Sequence, residues 1–294
     1  MTNILVPTDF SAESHHAFVV ALRLAVHTGG QITLLHVLEA VKRPVKPAPT
    51  SWPAASIELP AEANDETPIV DNHLLEAAQQ RLQAFKSKAD LLIANVPVAN
   101  AVTTGRIGQG ILNAIERHGI DLVVMGAQGH GAAQRFFVGS NTARLIRLAA
   151  CPVLTVKNEP PGNFAVRTII FPSDFNEKVP IGGGGLRRVQ AAFPEATLHL
   201  LHVRKNLNNS AVLHRMRAFA ERTGLRNVHA AVMNTGSPAA GIAQYAEQVG
   251  ADLVVIPTHA RTGLTGFLQT SIAETVATHA LPPVLTYHLL RLSL

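Results

Sequence analysis

Short apolar runs alternate along the chain with longer stretches whose apolar positions recur every three to four residues. Ile4–Val6 is the first run, closed by Pro7. From about Ser14 to Thr28 the apolar residues return at helical spacing, and Gly29-Gly30 ends them. Ile32–Val37 is extended again. Leu74–Ala94 reads as a helix, Val98–Thr103 as a strand ended by Gly105, and Ile107–His118 as a helix stopped by Gly119. A strand over Leu122–Met125, a helix over Asn141–Ala149 and a strand over Val153–Val156 complete the series. Strands that are apolar throughout, with a helix between each pair, predict a parallel sheet covered on both faces. Right-handed crossovers make such a sheet doubly wound, and its ligands sit at the carboxyl ends of the strands near the switch point.

The pattern then starts again. Val6-Pro7-Thr8-Asp9-Phe10 returns as Phe171-Pro172-Ser173-Asp174-Phe175, and Leu34-Leu35-His36-Val37 as Leu200-Leu201-His202-Val203. Asp121-Leu122-Val123-Val124 returns as Asp252-Leu253-Val254-Val255, and Pro152-Val153-Leu154-Thr155 as Pro283-Val284-Leu285-Thr286. Four matches in one order predict two copies of one α/β domain, residues 1–158 and 163–294, joined near Lys157–Asn163. The separation shortens by about 35 residues between the second and third matches. The surplus in copy one falls on Lys42–Pro68, which holds Pro44, Pro47, Pro49, Pro53, Pro60 and Pro68. So many missing donors and fixed φ angles predict a loop, read as a surface excursion or, alternatively, as a lid or partner-binding loop.

The most chemical motif follows the fourth strand of copy one. Gly126-Ala127-Gln128-Gly129 is followed by Gly139-Ser140-Asn141 at the head of a helix, a G-x2-G-x9-G-S pattern. With 21 glycines in 294 residues, three fixed glycines arise by chance about 0.1 times in such a chain. Glycines let a backbone pass close to phosphate oxygens and present its N–H groups, and a hydroxyl at a helix start favours an anion. The bland alternative is two turns and a helix cap. No G-x-x-x-x-G-K-[ST] loop is present, and no G-x-G-x-x-G follows the first strand. Asp9 stands there instead, able to accept from ribose hydroxyls or an adenine amine, or simply to cap the first helix.

Composition narrows the setting. The chain is 47% hydrophobic and 15% charged, with 5% aromatics, so it is core-forming with an aliphatic core. No run of 18 apolar residues and no leader-like N-terminus are present, and the one cysteine, Cys151, excludes a disulfide framework or a multi-cysteine metal site. These features predict a cytoplasmic protein with no membrane partner. The net charge of +5 is spread thinly, with no Lys/Arg run longer than two, which argues against nucleic-acid binding. Fourteen histidines raise the idea of a metal, but His15-His16 are neighbours on different helix faces and His199 and His202 lie on opposite faces of one strand. His36 and His202 share a repeat position, which suggests a structural place at a strand end. Cys151 precedes Pro152 and reads as buried and inert.

On these motifs, together with Cys151-Pro152-Val153-Leu154-Thr155-Val156, the chain resembles the universal stress protein family in its tandem two-domain form. The resemblance implies two Rossmann-like domains, each with a five-stranded parallel sheet. It also implies ATP, with or without Mg²⁺, as ligand of the family's nucleotide-binding branch. Carried over residue by residue, the site is Asp9, Val37 through its backbone, Gly126, Gly129, Gly139 and Ser140. Pro7 and Thr8 line the same pocket, Gly105 matches the glycine after the third strand, and Met125, Gln128 and Asn141 are motif neighbours. The function implied is that of an ATP-binding stress-response regulator acting on an unknown protein partner. Slow ATP hydrolysis or autophosphorylation occurs in some relatives, but no catalytic base is visible here. The alternative is a nucleotide-independent interaction or scaffold protein.

Copy two departs from the motif. Pro257, Ala260 and Thr270 stand where copy one has Gly126, Gly129 and Gly139, and only Asp174 and Ser271 are kept. Proline removes a donor, and two added Cβ atoms obstruct close approach of a phosphate. Copy one is therefore expected to hold nucleotide and copy two to be structural or partner-binding, with an altered pocket using His259 and Arg261 as the alternative. The copies are expected to pack through their last strands as an intramolecular pseudo-dimer, with a homodimer of whole chains as a further option. Four successive glycines, Gly182–Gly185, predict that the first helix of copy two starts late, near Leu186.

Overall fold

The computed structural model describes residues 2–39, 72–90, 96–128, 139–158, 165–175, 183–204, 210–258 and 264–288. The first half runs β1 (Asn3–Pro7), α1 (Ala12–Thr28), β2 (Gln31–Leu38), α2 (Asn72–Asp90), β3 (Val98–Thr104), α3 (Ile107–Arg117), β4 (Leu122–Gly126), α4 (Ser140–Leu148) and β5 (Val153–Val156). The second half repeats the order as β6 (Thr168–Pro172), α5 (Gly183–Ala192), β7 (Thr197–Arg204), α6 (Ser210–Thr223), β8 (Val228–Asn234), α7 (Pro238–Gln248), β9 (Leu253–Thr258), α8 (Leu264–His279) and β10 (Val284–His288). The proline-rich stretch 42–68 lies outside the described residues.

The strands form one ten-stranded sheet in the order β3-β2-β1-β4-β5-β10-β9-β6-β7-β8. Within each half every pairing is parallel. The halves meet where β5 and β10 pair antiparallel, Leu154 opposite Leu285. Thr155 Oγ1 donates to the Val284 carbonyl and Thr286 Oγ1 to the Val153 carbonyl, each at 3.2 Å, so the seam is sealed by a symmetric pair. The Lys157 ammonium also reaches the Thr278 carbonyl at the end of α8, at 2.7 Å. In each half the strand order reverses beside the first strand, between β1 and β4 and again between β6 and β9. These are the switch points of doubly wound sheets.

One face of the sheet carries a single apolar layer that crosses the seam. Val6, Phe18 and Leu122 belong to it from the first half, and Phe171, Leu186 and Phe219 from the second. The other face has two clusters, one around Leu5, Ile111 and Leu145, the other around Ile170, Ile242 and Val276. Ile146 of α4 is buried in the second of these, so α4 also spans the seam.

Two helix starts differ between the halves for identifiable reasons. The α1 helix begins at Ala12, because the Ser11 hydroxyl caps it by accepting from the Ser14 N–H at 3.1 Å. Its counterpart α5 begins at Gly183, three residues ahead of the expected Leu186. Gly185 lets it do so, since a Cβ there would lie 2.6 Å from Cζ of the buried Tyr287 ring. At the other end of the fold, α4 starts at Ser140 but α8 starts at Leu264. Ser271, the repeat counterpart of Ser140, therefore sits inside a helix and not at its head.

Candidate functional site

At the switch point of the first half a cavity of about 480 Å³ opens over the carboxyl ends of β1, β2 and β4. Its walls bring together Pro7, Thr8 and Asp9 after β1, Val37 on β2, Met125, Gly126 and Gln128 at the end of β4, and Gly139, Ser140 and Asn141 at the start of α4. Ten residues picked out by sequence thus line one crevice. Gly129 lies outside the described residues. Gly105 is not among the lining residues. It ends β3 at φ +126°, a conformation open to glycine, and its N–H bonds the Leu38 carbonyl at 2.9 Å.

The turn after β1 is held by a chain of hydrogen bonds. The Thr8 N–H bonds the Leu35 carbonyl at 2.8 Å, continuing the ladder one residue beyond the strand. The Phe10 N–H donates to Thr8 Oγ1 at 2.9 Å. Ser14 Oγ donates to the Ser11 carbonyl at 2.9 Å, so the 3.0 Å contact between the Thr8 and Ser14 hydroxyls has Thr8 as donor. Asp9 Oδ1 accepts from both the N–H and the hydroxyl of Ser11, at 3.0 and 2.6 Å. The helix cap is Ser11, and Asp9 orients it from the cavity wall. This geometry forces Phe10 to φ 66°, a strained region for a bulky residue, and Phe175 repeats it at φ 50°.

His36 also lines the cavity, and its Nδ1 lies 2.8 Å from the Thr8 carbonyl. A carbonyl only accepts, so Nδ1 carries the proton of that bond. His202 does the same to the Ser173 carbonyl at 2.9 Å. The repeated histidine is thus a strut for the turn, in keeping with its strand-end position. Sequence reasoning gave it no place in the pocket, although its recurrence beside the Asp9 turn was the available signal. The other lining residues it missed are Ser14, Leu35, Ile107, Ile111 and Thr142. Of these, only Ile107 and Ile111 carried a pattern, four apart on the inner face of α3.

Backbone groups face the crevice where a strand stops short. Leu35 bonds toward β1 and Leu38 toward β3. By the alternation along a strand, Val37 directs its N–H and C=O to the β1 side, where β1 has ended. Its side chain packs on Gly110 of α3, where a Cβ would lie 3.1 Å from Val37 Cγ1. The floor is equally tight. A Cβ on Gly126 would meet the Gln128 carbonyl oxygen at 2.9 Å and Glu13 Cβ at 3.0 Å. Thr142 Oγ1 donates to the Gly126 carbonyl at 3.1 Å and pins the first turn of α4 to the end of β4.

The head of α4 is uncapped by any side chain, since its cap residue is Gly139. The head of α3, capped in position by Arg106, also has no side-chain cap bond. Both helices begin at the cavity, so their first N–H groups are donors available to an anion. Among the described residues no group of three or more His, Cys, Asp or Glu could hold a metal ion. The thiol of Cys151 is buried before β5, and desolvation pushes its pKa up to about 12, so it is neither nucleophile nor ligand at neutral pH. Among the described residues no helix is long and apolar enough to cross a membrane.

Comparison with known proteins agrees with this fold. The profile of the universal stress protein family matches residues 1–157 and again residues 186–288. A universal stress protein of Mycolicibacterium smegmatis is 28% identical over 308 residues, covering 96% of this chain and 95% of its own. One from Methanocaldococcus jannaschii is 29% identical over 154 residues, 52% of this chain and 81% of its own. Among solved structures, a universal stress protein from Archaeoglobus fulgidus superimposes with a TM-score of 0.70 at 19% identity, covering 97% of this chain and 98% of that one. The chain belongs to the universal stress protein family.

Proposed function

We propose that the first half, residues 1–158, binds one adenine nucleotide, ATP with or without Mg²⁺, and that the second half, residues 163–294, is a structural or partner-binding copy. The whole is a cytoplasmic stress-response regulator. The observation that carries this reading is the cavity over β1, β2 and β4. It joins a carboxylate at one end, Asp9, to a glycine-flanked helix head at the other, Gly139-Ser140. Adenosine fits the end with Asp9 and the Val37 backbone, where hydroxyls and an exocyclic amine find acceptors. Phosphates fit the end with Gly126, Gln128, Gly139, Ser140 and Asn141, where N–H groups and a helix dipole find negative charge. In the second half α8 runs straight through the position of Ser140's counterpart, so no helix head meets a phosphate at that point. Pro257 in place of Gly126 also removes an N–H.

The test is to denature the purified protein and identify what it releases by mass spectrometry, then to titrate ligand-free protein with Mg-ATP by calorimetry. One nucleotide per chain is the expected stoichiometry. Two per chain would overturn the division of labour between the halves. No release and no heat at millimolar ATP would overturn the nucleotide reading in favour of an interaction protein.

A further inference from the structure

The two halves differ at a second pair of positions beside the phosphate end. In the second half Ser237 caps α7, its hydroxyl accepting from the Ala240 N–H at 3.4 Å. The equivalent residue of the first half is Arg106, which places a cation at the positive end of α3 and makes no cap bond. Both effects oppose the helix. Arg106 is exposed, makes no hydrogen bond or ion pair among the described residues, and adjoins Ile107 on the cavity wall. A second arginine, Arg144 on α4, flanks the start of the same helix, where the second half has Thr275. The Arg144 side chain lies over the first turn of α3: a Cβ on Gly108 would meet its Cδ at 2.6 Å, and its Nη2 donates to Gln109 Oε1 at 3.2 Å. Asn141, one turn earlier on α4, lines the cavity. A helix that gives up a cap bond for a cation without a partner among the described residues, beside the uncapped head of α4, is built against its own stability. Such local conflicts gather where a ligand compensates for them.

We infer that Arg106, with Arg144, makes the rim of this cavity read phosphate charge, so that the first half selects a nucleoside triphosphate over a mono- or cyclic phosphate. This rests on the nucleotide reading above. Arg106 contacts the distal phosphates, and adenosine and the α-phosphate are left to the crevice itself. An exposed arginine–phosphate contact is worth about threefold to tenfold in affinity at low salt, and less when screened.

The experiment titrates adenosine, AMP, cyclic AMP, ADP and ATP into the full chain and into R106S and R106K, at low salt and in 0.5 M salt. Serine is the residue of the second half and restores the cap, so R106S is expected to melt higher than the parent without ligand. It is expected to lower the ATP-to-AMP affinity ratio by about fivefold at low salt while leaving adenosine unchanged. R106K keeps the charge and is expected to keep most of the ratio. An unchanged ratio in R106S, with adenosine and AMP still bound, would overturn the inference and leave the nucleotide reading standing. So would equal losses in R106K and R106S, or a lower melting temperature for ligand-free R106S. Failure of every nucleotide to bind the parent chain would overturn the nucleotide reading itself.

Discussion

Replacing Gly126 with alanine puts a methyl group 2.9 Å from the Gln128 carbonyl oxygen and 3.0 Å from Glu13 Cβ. Neither neighbour is the loose end of a side chain. The first is backbone, and the second is attached to the α1 backbone, whose Glu13 carbonyl carbon is only 3.2 Å away. Relief requires the turn after β4 or the first turn of α1 to move. Overpacking of this kind costs about 1–3 kcal/mol. For a domain of this size each kcal/mol is roughly 2–4 °C of melting temperature, so a fall of about 2–12 °C is expected. Gln128 and Ser14 both line the cavity, so the same displacement should weaken ATP by about tenfold or more. G139S is the control. A Cβ at Gly139 finds only ordinary contacts, the nearest Thr142 Oγ1 at 3.7 Å, and serine is a better cap than glycine for α4. It should melt at or above the parent temperature and still lose ATP affinity, because its side chain stands where a phosphate approaches the helix head. Scanning fluorimetry without ligand and calorimetry with Mg-ATP read the two effects separately. A G126A protein melting within about 1 °C of the parent would refute the contact argument.

Further outcomes follow from the same structure. G185A should destabilise the second half by about 1–3 kcal/mol through the Tyr287 ring, with ATP stoichiometry unchanged, as read by denaturant melts and calorimetry. R147A, which removes the Arg147–Glu274 ion pair at 3.1 Å between half-exposed partners, should change stability by less than about 0.5 kcal/mol. Cys151 should resist a disulfide reagent at pH 8 in the folded protein and react only on unfolding, with its thiol held near 12 by burial. His199, on β7 beside His229 and bonded to the Tyr245 hydroxyl at 2.9 Å, has its pKa lowered by desolvation and by His229. The unfolded chain then takes up this proton at a higher pH than the folded one, so stability should fall as pH drops below about 6.5, and H199Q should flatten that slope in melts from pH 7.5 to 5.

Most of the fold was legible because the central strands are short, apolar and buried. Ile4–Val6 and Leu122–Met125 leave little choice but a doubly covered parallel sheet. The repeat did the rest, since one element order explains both halves. Helix starts were harder, for one depends on a cap just ahead of the helix and the other on a side chain distant in sequence. The Ser11 cap moved α1 forward to Ala12, and the Tyr287 ring, one hundred residues away, explains why Gly185 can sit inside α5. In the pocket, residues with unusual backbone demands or recognisable motif chemistry were found from the sequence. Those that line it with ordinary side chains, such as Ser14, Leu35 and Thr142, carried no signal of their own. Gly105 was chosen for its place in a motif, and its conformation at a strand end accounts for it without a ligand.

What the two halves keep and what they lose falls along a physical boundary. The kept features hold the sheet and its first turn: the strained Phe10 and Phe175, the histidine struts His36 and His202, and the close approach of Val37 to Gly110 and of Val203 to Gly241. The features that differ lie toward the carboxyl-terminal end of the sheet: Pro257 is the penultimate residue of β9, and Thr270 falls inside α8. At Thr270 the consequence is local, since the chain simply stays helical from Leu264 onward. The sheet of the second half also has a structural task, whatever that half binds. The seam supplies one. β10 covers the edge of β5, and the apolar layer through Phe18 and Phe219 is shared across it. Without the second half, the first would expose a strand edge and the flank of its core to other chains. Covering the β5 edge and completing the shared apolar layer is thus a role the second half fills in the fold itself, and any partner it binds is an addition to that role.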